Sequence, residues 1–415
     1  MATAQAGVGT VAEAPDDGRD GWWNVACAFV MLFAALGIPA IMVPVLYAPI
    51  IDETGWSRGD VALLTTFKFG AGAVAAYLTG PLVDRYGIRK VTIACAVLSG
   101  AALLMLLEVH SLPMLYLIGV LLGISALGVM TAMKVLVSQW FTRNQGLALG
   151  IALTGVSAAG VVIPYSTTLL TEAYGWRVAG ALMSLVIWFV AIPLFLWRAR
   201  EHASQGNEVA KLAAEADYGD APAFRDIRFT RFFLVAAFVS VLIGMVDHGM
   251  SAHLVIFLDR DVHLGAEIAA IGFSAIMVMS NLGKLGFGWL FDRLSTRGIG
   301  LCCLALSAGV ALAFPVAGLS TFLLFAVVYG PTQGGLMVSL PVLAKHCFGP
   351  RAMTRAIAVL STTYMVGSAA GPAIAGYLYD LTGSYAWPFG IFIVSIAVAG
   401  FAAMTLRPAY RPARA

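Results

Sequence analysis

The chain has few charged residues for its size. Of its 415 residues only 11% are charged, whereas 60% are hydrophobic, and the mean hydropathy is +0.87. Soluble domains usually have about a quarter charged residues. A water-soluble particle of this size could not cover its surface with so few charges. The composition therefore argues against a soluble enzyme, a secreted domain and a disordered chain.

Cysteines and recognisable catalytic motifs are also scarce. The sequence has no His-Glu-x-x-His metal motif, no intramembrane Ser/His/Asp set and no P-loop, so we expect no cofactor, no enzymatic activity and no ATP-driven pumping. The net charge of +3 predicts no nucleic-acid partner. Five cysteines in apolar stretches without ligand-like spacing predict buried thiols, and neither disulfides nor a zinc site: Cys27, Cys95, Cys302, Cys303 and Cys347.

What the chain does contain is a series of long apolar runs. A helix needs about 20 apolar residues to cross the roughly 30 Å of hydrocarbon in a bilayer. The sequence therefore predicts an all-α membrane protein with twelve transmembrane helices in two six-helix bundles. The runs lie near residues 22–47, 59–80, 91–108, 113–138, 146–171, 178–197, 231–258, 268–290, 298–316, 319–344, 353–378 and 386–406.

One long hydrophilic segment of mixed charge separates the two groups of runs. If the N-terminus is inside, cytoplasmic segments hold 19 of the 25 lysines and arginines and external segments hold three, so both termini are expected in the cytoplasm. The predicted organisation is a disordered cytoplasmic leader, an N-terminal bundle, a cytoplasmic linker, a C-terminal bundle and a basic cytoplasmic tail, over 1–21, 22–197, 198–228, 229–406 and 407–415.

The two halves repeat each other at a nearly constant offset. Gly80-Pro-Leu-Val-Asp84-Arg85 matches Gly288-Trp-Leu-Phe-Asp292-Arg293 at an offset of 208. Halves related by an axis along the membrane normal place a substrate cavity between them, near the midplane. At an offset of 207, Trp140-Phe141, Gly155 and Gly160 match Cys347-Phe348, Thr362 and Gly367.

The segment from Gly80 to Lys90 resembles the signature loop between helices 2 and 3 of the major facilitator superfamily. The resemblance covers the whole chain, and it implies a major facilitator fold with an inside latch that stabilises the outward-open state. The alternative is that these residues only anchor the topology. The implied latch residues are Gly80, Asp84, Arg85, Arg89, Lys90, Asp292 and Arg293.

Four shorter stretches are similar to the monocarboxylate transporter family and its oxalate/formate antiporter relatives. The chain departs from the family's animal members at Ala40, where they have a lysine, and at Ser280 and Lys284, where they have an acid and an arginine. The family's coupling scheme is therefore not carried over whole. The stretches are Asp20-Gly21-Trp22-Trp23, Gly37-Ile38-Pro39, Trp140 to Gly150 and Tyr174-Gly175-Trp176-Arg177.

A few ionisable residues fall within the predicted spans. Such residues cost about 2.5–3.5 kcal/mol on insertion scales and normally face a cavity. Three lysines against one carboxylate favour an anionic substrate that supplies the missing counter-charge. We predict that Lys284 and then Lys68 bind a substrate carboxylate, that Lys134 is a weaker candidate, and that Asp247 and His248 form a proton relay.

Each of these assignments has a structural alternative. Lys134 is close enough to the inner end to snorkel, and Lys68 or Lys284 could form an ion pair with Asp247. Asp247 and His248 could serve helix packing, and His253 is predicted to be an interfacial residue.

Four uncharged polar residues are further candidates for the wall of the cavity. Asn281 lies three residues before Lys284 and so shares its face of the helix. Amide and aromatic groups commonly orient small ligands, although they are equally common in helix–helix hydrogen bonds. The four are Asn281, Tyr329, Gln333 and Tyr364.

These features predict a secondary active transporter that moves a small organic anion, a monocarboxylate, together with protons by alternating access. A proton-independent organic anion exchanger of the oxalate/formate type is the first alternative. Efflux of lipophilic drugs or cations is the second, and it would require buried acids in excess of buried bases. We expect a multi-pass protein that functions as a monomer in a lipid bilayer, namely a bacterial cell inner membrane.

Overall fold

The structure is a computed structural model that describes residues 19–141, 145–200 and 224–406, and nearly all of these residues are helical. Twelve long helices follow one another in the described ranges, with a short helix Phe224–Ile227 before the second group of six. They are α1 Arg19–Thr54, α2 Arg58–Tyr86, α3 Ile88–Glu108, α4 Leu112–Trp140, α5 Gln145–Tyr174, α6 Trp176–Arg198, α7 Arg231–Asp261, α8 Ala266–Leu294, α9 Thr296–Ala311, α10 Leu319–Met337, α11 Ser339–Thr382 and α12 Ala386–Thr405.

Ten of these helices are long and apolar enough to cross a membrane. The other two, α9 and α10, occupy the positions of the predicted spans 298–316 and 319–344. The prediction of an all-helical, multi-pass membrane protein is thereby confirmed. The number of twelve spans and the side on which the termini lie stay predictions.

The boundary between α10 and α11 differs from the sequence-based prediction. The apolar run was expected to continue to residue 344 and to be followed by a polar loop, whereas α10 ends at Met337 and α11 runs through the expected loop for 44 residues. At about 1.5 Å per residue, α11 is about twice as long as the hydrocarbon layer is thick. Hydropathy marks where a chain leaves the membrane, and it does not mark where the helix ends.

A proline distorts α1 near its middle. Pro39 has no N–H and cannot donate to the carbonyl of Ala35, and the preceding turn, Leu32–Gly37, is π-helical. The hydroxyl of Ser99 on α3 donates to the freed carbonyl of Ala35 at 2.9 Å. The carbonyl that loses its partner at the proline is therefore hydrogen-bonded by a neighbouring helix of the same half.

The helix ends define two faces of the bundle. We call the face at which α1 ends and α2 begins the Arg58 end, and the face at which α2 ends the Arg85 end. Gly55 and Gly383, with φ of 70° and 67°, terminate α1 and α11 at the Arg58 end in the left-handed conformation that glycine adopts without strain. The predicted topology makes the Arg58 end extracytoplasmic.

Glycines bring α7 and α11 into backbone contact. A Cβ atom on Gly367 would lie 1.9 Å from the carbonyl oxygen of Val241, and one on Gly371 would lie 2.1 Å from that of Met245. The spacing Gly367-x-x-x-Gly371 predicts close helix packing, and these distances confirm it. The same spacing at residues 146–150 makes the same prediction, which is wrong for Gly150, because this glycine has open space around it; the surroundings of position 146 lie outside the described part of the chain.

The two halves meet along their central helices. The cross-half contacts are α2 with α11, α5 with α8, and α1 with α7. Polar side chains from α2, α5, α7, α8, α10 and α11 converge near the middle of these helices. This convergence forms the candidate site.

Candidate functional site

Asp247 on α7 is the centre of a buried hydrogen-bond network. Its carboxylate is only 3% exposed, and each oxygen accepts a hydrogen bond. The amide nitrogen of Gln333 on α10 donates to Oδ1 at 2.7 Å, and the hydroxyl of Tyr364 on α11 donates to Oδ2 at 2.5 Å. Both oxygens of the carboxylate are therefore satisfied by side chains of the same half. The network joins three helices of the C-terminal half.

The network continues from Gln333 to α8. The hydroxyl of Ser280 donates to the amide oxygen of Gln333 at 2.7 Å, and both side chains are buried. Ser280 occupies the position where the family resemblance implies an acid. The carboxylate of this site therefore comes from Asp247 on α7. Ser280 on α8 is linked to it by two hydrogen bonds, with the amide of Gln333 between them.

His248 follows Asp247 on α7 and contacts the other half of the molecule. Its Nε2 lies 3.3 Å from the hydroxyl of Tyr364, and its ring lies 4.1 Å, centroid to centroid, from that of Phe69 on α2. The predicted relay pair thus shares one tyrosine. The sequence analysis did not identify Phe69, because an aromatic residue in an apolar run carries no distinguishing signal.

Lys284 lies at the interface between the two halves. Its ammonium donates to Oδ1 of Asn281 at 2.9 Å and lies 3.5 Å from the hydroxyl of Ser157 on α5. It is close enough to Asp247 for the two charges to attract, but it forms no salt bridge with a described residue. Ser157 was not predicted, because a lone serine within a span usually bonds to its own helix.

Lys68 on α2 is buried without a counter-ion. The side chain is 8% exposed, and its Nζ lies 5.0 Å from the centroid of the Phe69 ring. Among the described residues nothing forms an ion pair or a side-chain hydrogen bond with this ammonium group. The alternative in which Lys68 or Lys284 pairs structurally with Asp247 is therefore not observed. An anion is the ligand that this arrangement lacks.

Two predicted residues stand apart from the network. Tyr329 on α10 is buried with its ring stacked on Phe325, and its hydroxyl lies near that of Ser251 without a hydrogen bond of good geometry to any described residue. The side chain of Lys134 on α4 is exposed, and no described side chain pairs with it.

The interfacial position predicted for His253 is wrong. The side chain is fully buried, its Nε2 lies 2.9 Å from the carbonyl oxygen of Pro372, and its Nδ1 lies 2.9 Å from the hydroxyl of Tyr385. A carbonyl can only accept, so Nε2 carries a proton. Two partners in sequence-distant segments satisfy the ring, and such partners cannot be seen in the local sequence.

The predicted latch lies at the Arg85 end. Arg85, Arg89, Lys90 and Arg293 are exposed there, and Arg89 donates to the carbonyl of Leu196. The latch itself stays a prediction. Three of its members lie outside the described side chains: Gly80, Asp84 and Asp292.

At the Arg58 end, a group of contacts joins the two halves; we call it the Arg58 clasp and define it as Arg58, Gly59, Asp261 and Asp380. The carboxylate of Asp380 on α11 accepts from the backbone N–H groups of Arg58 and Gly59 at 3.0 and 2.7 Å, which caps the first turn of α2. The guanidinium of Arg58 donates to Asp261 at 2.8 Å. The sequence analysis used Arg58 only as a marker of topology.

Within the described residues, no group of three or more His, Cys, Asp or Glu side chains has the arrangement of a metal site. The cysteines are free thiols; burial is confirmed for Cys27, Cys302, Cys303 and Cys347, whereas Cys95 is half-buried. What the described residues of the site offer a ligand is positive charge from Lys68 and Lys284 and hydrogen bonds from neighbouring hydroxyl and amide groups.

Comparison with known proteins agrees with this description. The sequence profile of the Major Facilitator Superfamily matches residues 25–297 and 254–415. Monocarboxylate transporter 12-B of Danio rerio is 25% identical over 95% of this chain and 89% of its own length, and monocarboxylate transporter 13 of Rattus norvegicus is 26% identical over 92% and 88%.

The fold is similar to that of a solved structure, a bacterial homologue of the human lysosomal transporter Spinster in an inward-facing conformation. The TM-score is 0.76 at 16% identity, over 97% of this chain and 100% of the other. The resemblance to this superfamily and to monocarboxylate transporters, first inferred from short motifs, is confirmed.

Proposed function

The chain belongs to the Major Facilitator Superfamily and is a multi-pass membrane transporter, not an enzyme; from this premise we propose that it moves small monocarboxylates together with protons by alternating access. The relatives named monocarboxylate transporters support the substrate class. The main structural support is a buried lysine, Lys68, and a half-buried one, Lys284, neither with a carboxylate partner in the described ranges, beside a carboxylate whose two oxygens each accept a hydrogen bond.

Lys284 is the primary ligand of the substrate carboxylate in this proposal. Its ammonium group has three N–H donors. One donates to Oδ1 of Asn281, and a second is directed at the hydroxyl of Ser157, which lies at the long distance of 3.5 Å from Nζ. A substrate anion at this position contacts both halves, since Lys284 and Ser157 lie on opposite sides of the interface. Lys68 adds a second positive charge from α2.

Asp247 couples proton uptake to substrate binding because its carboxylate competes with the substrate carboxylate for attraction to the Lys284 ammonium group. While it is ionised, Asp247 attracts the lysine and repels an incoming carboxylate. Protonation removes that negative charge, and the substrate then supplies it instead. His248 and Tyr364 adjoin the carboxylate and provide the exchange route for the proton. One proton accompanies one anion.

Alternating access is proposed to use the two ends of the bundle in turn. The Arg58 clasp closes one end in this structure, and the predicted latch at Asp84 and Asp292 closes the other after the halves rock. We place the protein in a cell inner membrane with both termini in the cytoplasm, as a functional monomer.

Uptake into proteoliposomes under an imposed proton gradient tests this function. Lactate, pyruvate and oxalate would be compared, with a gradient that is acidic outside, absent or reversed. We expect a several-fold acceleration of monocarboxylate uptake by the inward gradient and loss of that acceleration in Asp247→Asn. Net uptake that the inward gradient does not accelerate, in a protein that still exchanges substrate across the membrane, identifies an anion exchanger and rejects proton symport.

A further inference from the structure

Ser280, Gln333 and Asp247 form an oriented chain of hydrogen bonds in the interior of the C-terminal half. Ser280 donates to Gln333 at 2.7 Å, and Gln333 donates to Asp247 at 2.7 Å. The three side chains are 2%, 4% and 3% exposed, so water does not compete with either bond. They lie on α8, α10 and α7, so the chain links the helix of the proposed proton site to the helix of the proposed substrate site.

The orientation of the Gln333 amide follows from its two neighbours. An ionised Asp247 can only accept, so the nitrogen of the amide must face it, and the amide oxygen is then left to accept from Ser280. The other carboxylate oxygen accepts a hydrogen bond from the Tyr364 hydroxyl, which has a single proton to donate. Both polar ends of Gln333 are therefore used within the protein, and Gln333 does not bind the substrate directly.

We propose that Ser280 and Gln333 are positioning residues that hold Asp247 ionised and thereby set the pH at which the transporter takes up its proton. The proposal rests on the proton-coupled function above. Hydrogen bonds that end on a charge are roughly twice as strong as neutral ones, and successive bonds in a chain polarise one another. The aligned chain therefore favours the ionised carboxylate over the protonated one.

The choice of an amide and a hydroxyl also accommodates the protonated state. A carboxyl O–H at Asp247 needs an acceptor, which the amide nitrogen cannot be. Turning the amide by half a rotation presents its oxygen to Asp247 and its nitrogen to Ser280, whose hydroxyl accepts as well as it donates. Protonation of Asp247 on α7 thus reverses the direction of the hydrogen bond between Gln333 and Ser280. Ser280 lies on α8, one helical turn from Lys284.

The other titratable or charged groups near Asp247 cannot take over this role. On α7, α8, α10 and α11 they are His248, Lys284, Tyr329 and Tyr364, and on α2 Lys68 faces His248. Tyr364 donates to the other carboxylate oxygen, and the remaining groups act through the field at the carboxylate. Gln333 donates to Asp247 from an amide whose oxygen is itself fixed by the buried hydroxyl of Ser280 on another helix.

The pH dependence of counterflow in proteoliposomes tests the assignment, with a carboxylate substrate that stays ionised over the whole pH range. Because the variants destabilise the ionised form more than the neutral form, their half-maximal uptake moves to higher pH. We expect a shift of about one pH unit for Gln333→Leu, a tenfold change in proton affinity. Ser280→Ala should shift the midpoint by about half as much, and Ser280→Thr, which keeps the hydroxyl, should restore it.

The possible outcomes separate this inference from the function on which it rests. A wild-type protein whose uptake has no pH midpoint contradicts proton coupling and overturns both proposals. A normal wild-type midpoint with variants that lose maximal rate at every pH, without moving the midpoint, overturns the positioning role alone. Thermal unfolding of each purified variant confirms that it is folded, and Ser280→Ala supplies the milder test where Gln333→Leu is unstable.

Discussion

The two halves of the molecule share a helical scaffold but differ in the chemistry of their interiors. The C-terminal half supplies a carboxylate, an amide, a tyrosine and a lysine to the central network, whereas the N-terminal half supplies Lys68, Phe69 and Ser157. At the offset of 207 that relates α5 to α11, Ser157 corresponds to Tyr364. Helix-packing positions recur between the halves, and most of the network's polar groups do not.

This difference has a physical reason. Small residues at helix contacts cost little in a membrane and serve both halves alike, so they can be kept in both. Every buried ionisable group carries a large desolvation cost, which selects against a second copy without a use. The C-terminal half therefore does most of the recognition in our proposal, and the N-terminal half closes over it.

The largest effect that this comparison predicts is the loss of transport in Lys284→Gln. Removing the charge that pairs with a buried carboxylate costs about 2–5 kcal/mol, which corresponds to a decrease of at least about 30-fold in uptake. Lys68→Gln should decrease uptake by about tenfold, since its charge is the secondary one. Initial rates of substrate uptake in proteoliposomes measure both effects.

Arg297→Gln is the matched control for this pair. Arg297 is an exposed cation on α9 in the same half as Lys284, and its loss should change uptake by less than about twofold. Near-normal uptake by Lys284→Gln would reject the assignment. Equal losses in Lys284→Gln and Lys68→Gln would show that the two halves share recognition evenly, and the comparison would then fail.

Much of the fold could be predicted from the sequence, because apolar length and charge placement act locally. Each predicted apolar run overlaps a helix, and the glycines at 367 and 371 pack as their spacing indicated. Helix ends in polar segments were less predictable. The 44-residue α11 runs through the expected polar loop and through Gly349-Pro350, a pair that usually ends a helix, so neither hydropathy nor a local breaker gave this boundary.

The candidate site was predictable as a set of residues but not as a network. Buried charge alone identified Lys284, Lys68 and Asp247. The partners of these residues depend on which helices are neighbours and on how each helix is rotated, and neither can be read from one sequence. The bond from Gln333 to Asp247 is the helix–helix alternative that the sequence left open, and the cap that Asp380 places on α2 was missed altogether.

A second prediction compares two glycines that the repeat makes equivalent. Gly160 in the N-terminal half and Gly367 in the C-terminal half match at the offset of 207. A Cβ on Gly367 would meet the backbone oxygen of Val241 at 1.9 Å, while one on Gly160 would meet the side chain of Met277 at 3.0 Å. A flexible methionine can move aside, and a helix backbone cannot.

Gly367→Ala should therefore lower the free energy of unfolding by about 1–3 kcal/mol, the usual cost of overpacking, and Gly160→Ala by less than about 0.5 kcal/mol. Thermal unfolding of the two purified variants in the same detergent measures the difference. If Gly160→Ala is the less stable of the two, backbone approach is not what distinguishes the halves at these positions.

The smallest predicted effect concerns the Arg58 clasp, where Asp380 is one of several carboxylates that join the halves. Asp380→Asn weakens a charged cap on two backbone N–H groups of α2, and loss of such a cap costs about 0.5–2 kcal/mol. At about 1 kcal/mol the closed state loses about fivefold in population relative to the open one. Thr66, whose hydroxyl bonds to the carbonyl of Ala369 across the halves, reports this opening.

In a background without the five native cysteines, Thr66→Cys should react about fivefold faster with a membrane-impermeant maleimide when Asp380→Asn is present, in proportion to the open population. Glu267→Gln, which changes an exposed acid at the start of α8, should leave the rate unchanged. Equal rates in all three proteins would mean that the central helices, and not the clasp, hold this end closed. Closure of the Arg58 end would then rest on the packing of α2 against α11 and of α1 against α7, which crosses between the halves along the length of these helices and not at one capped helix end.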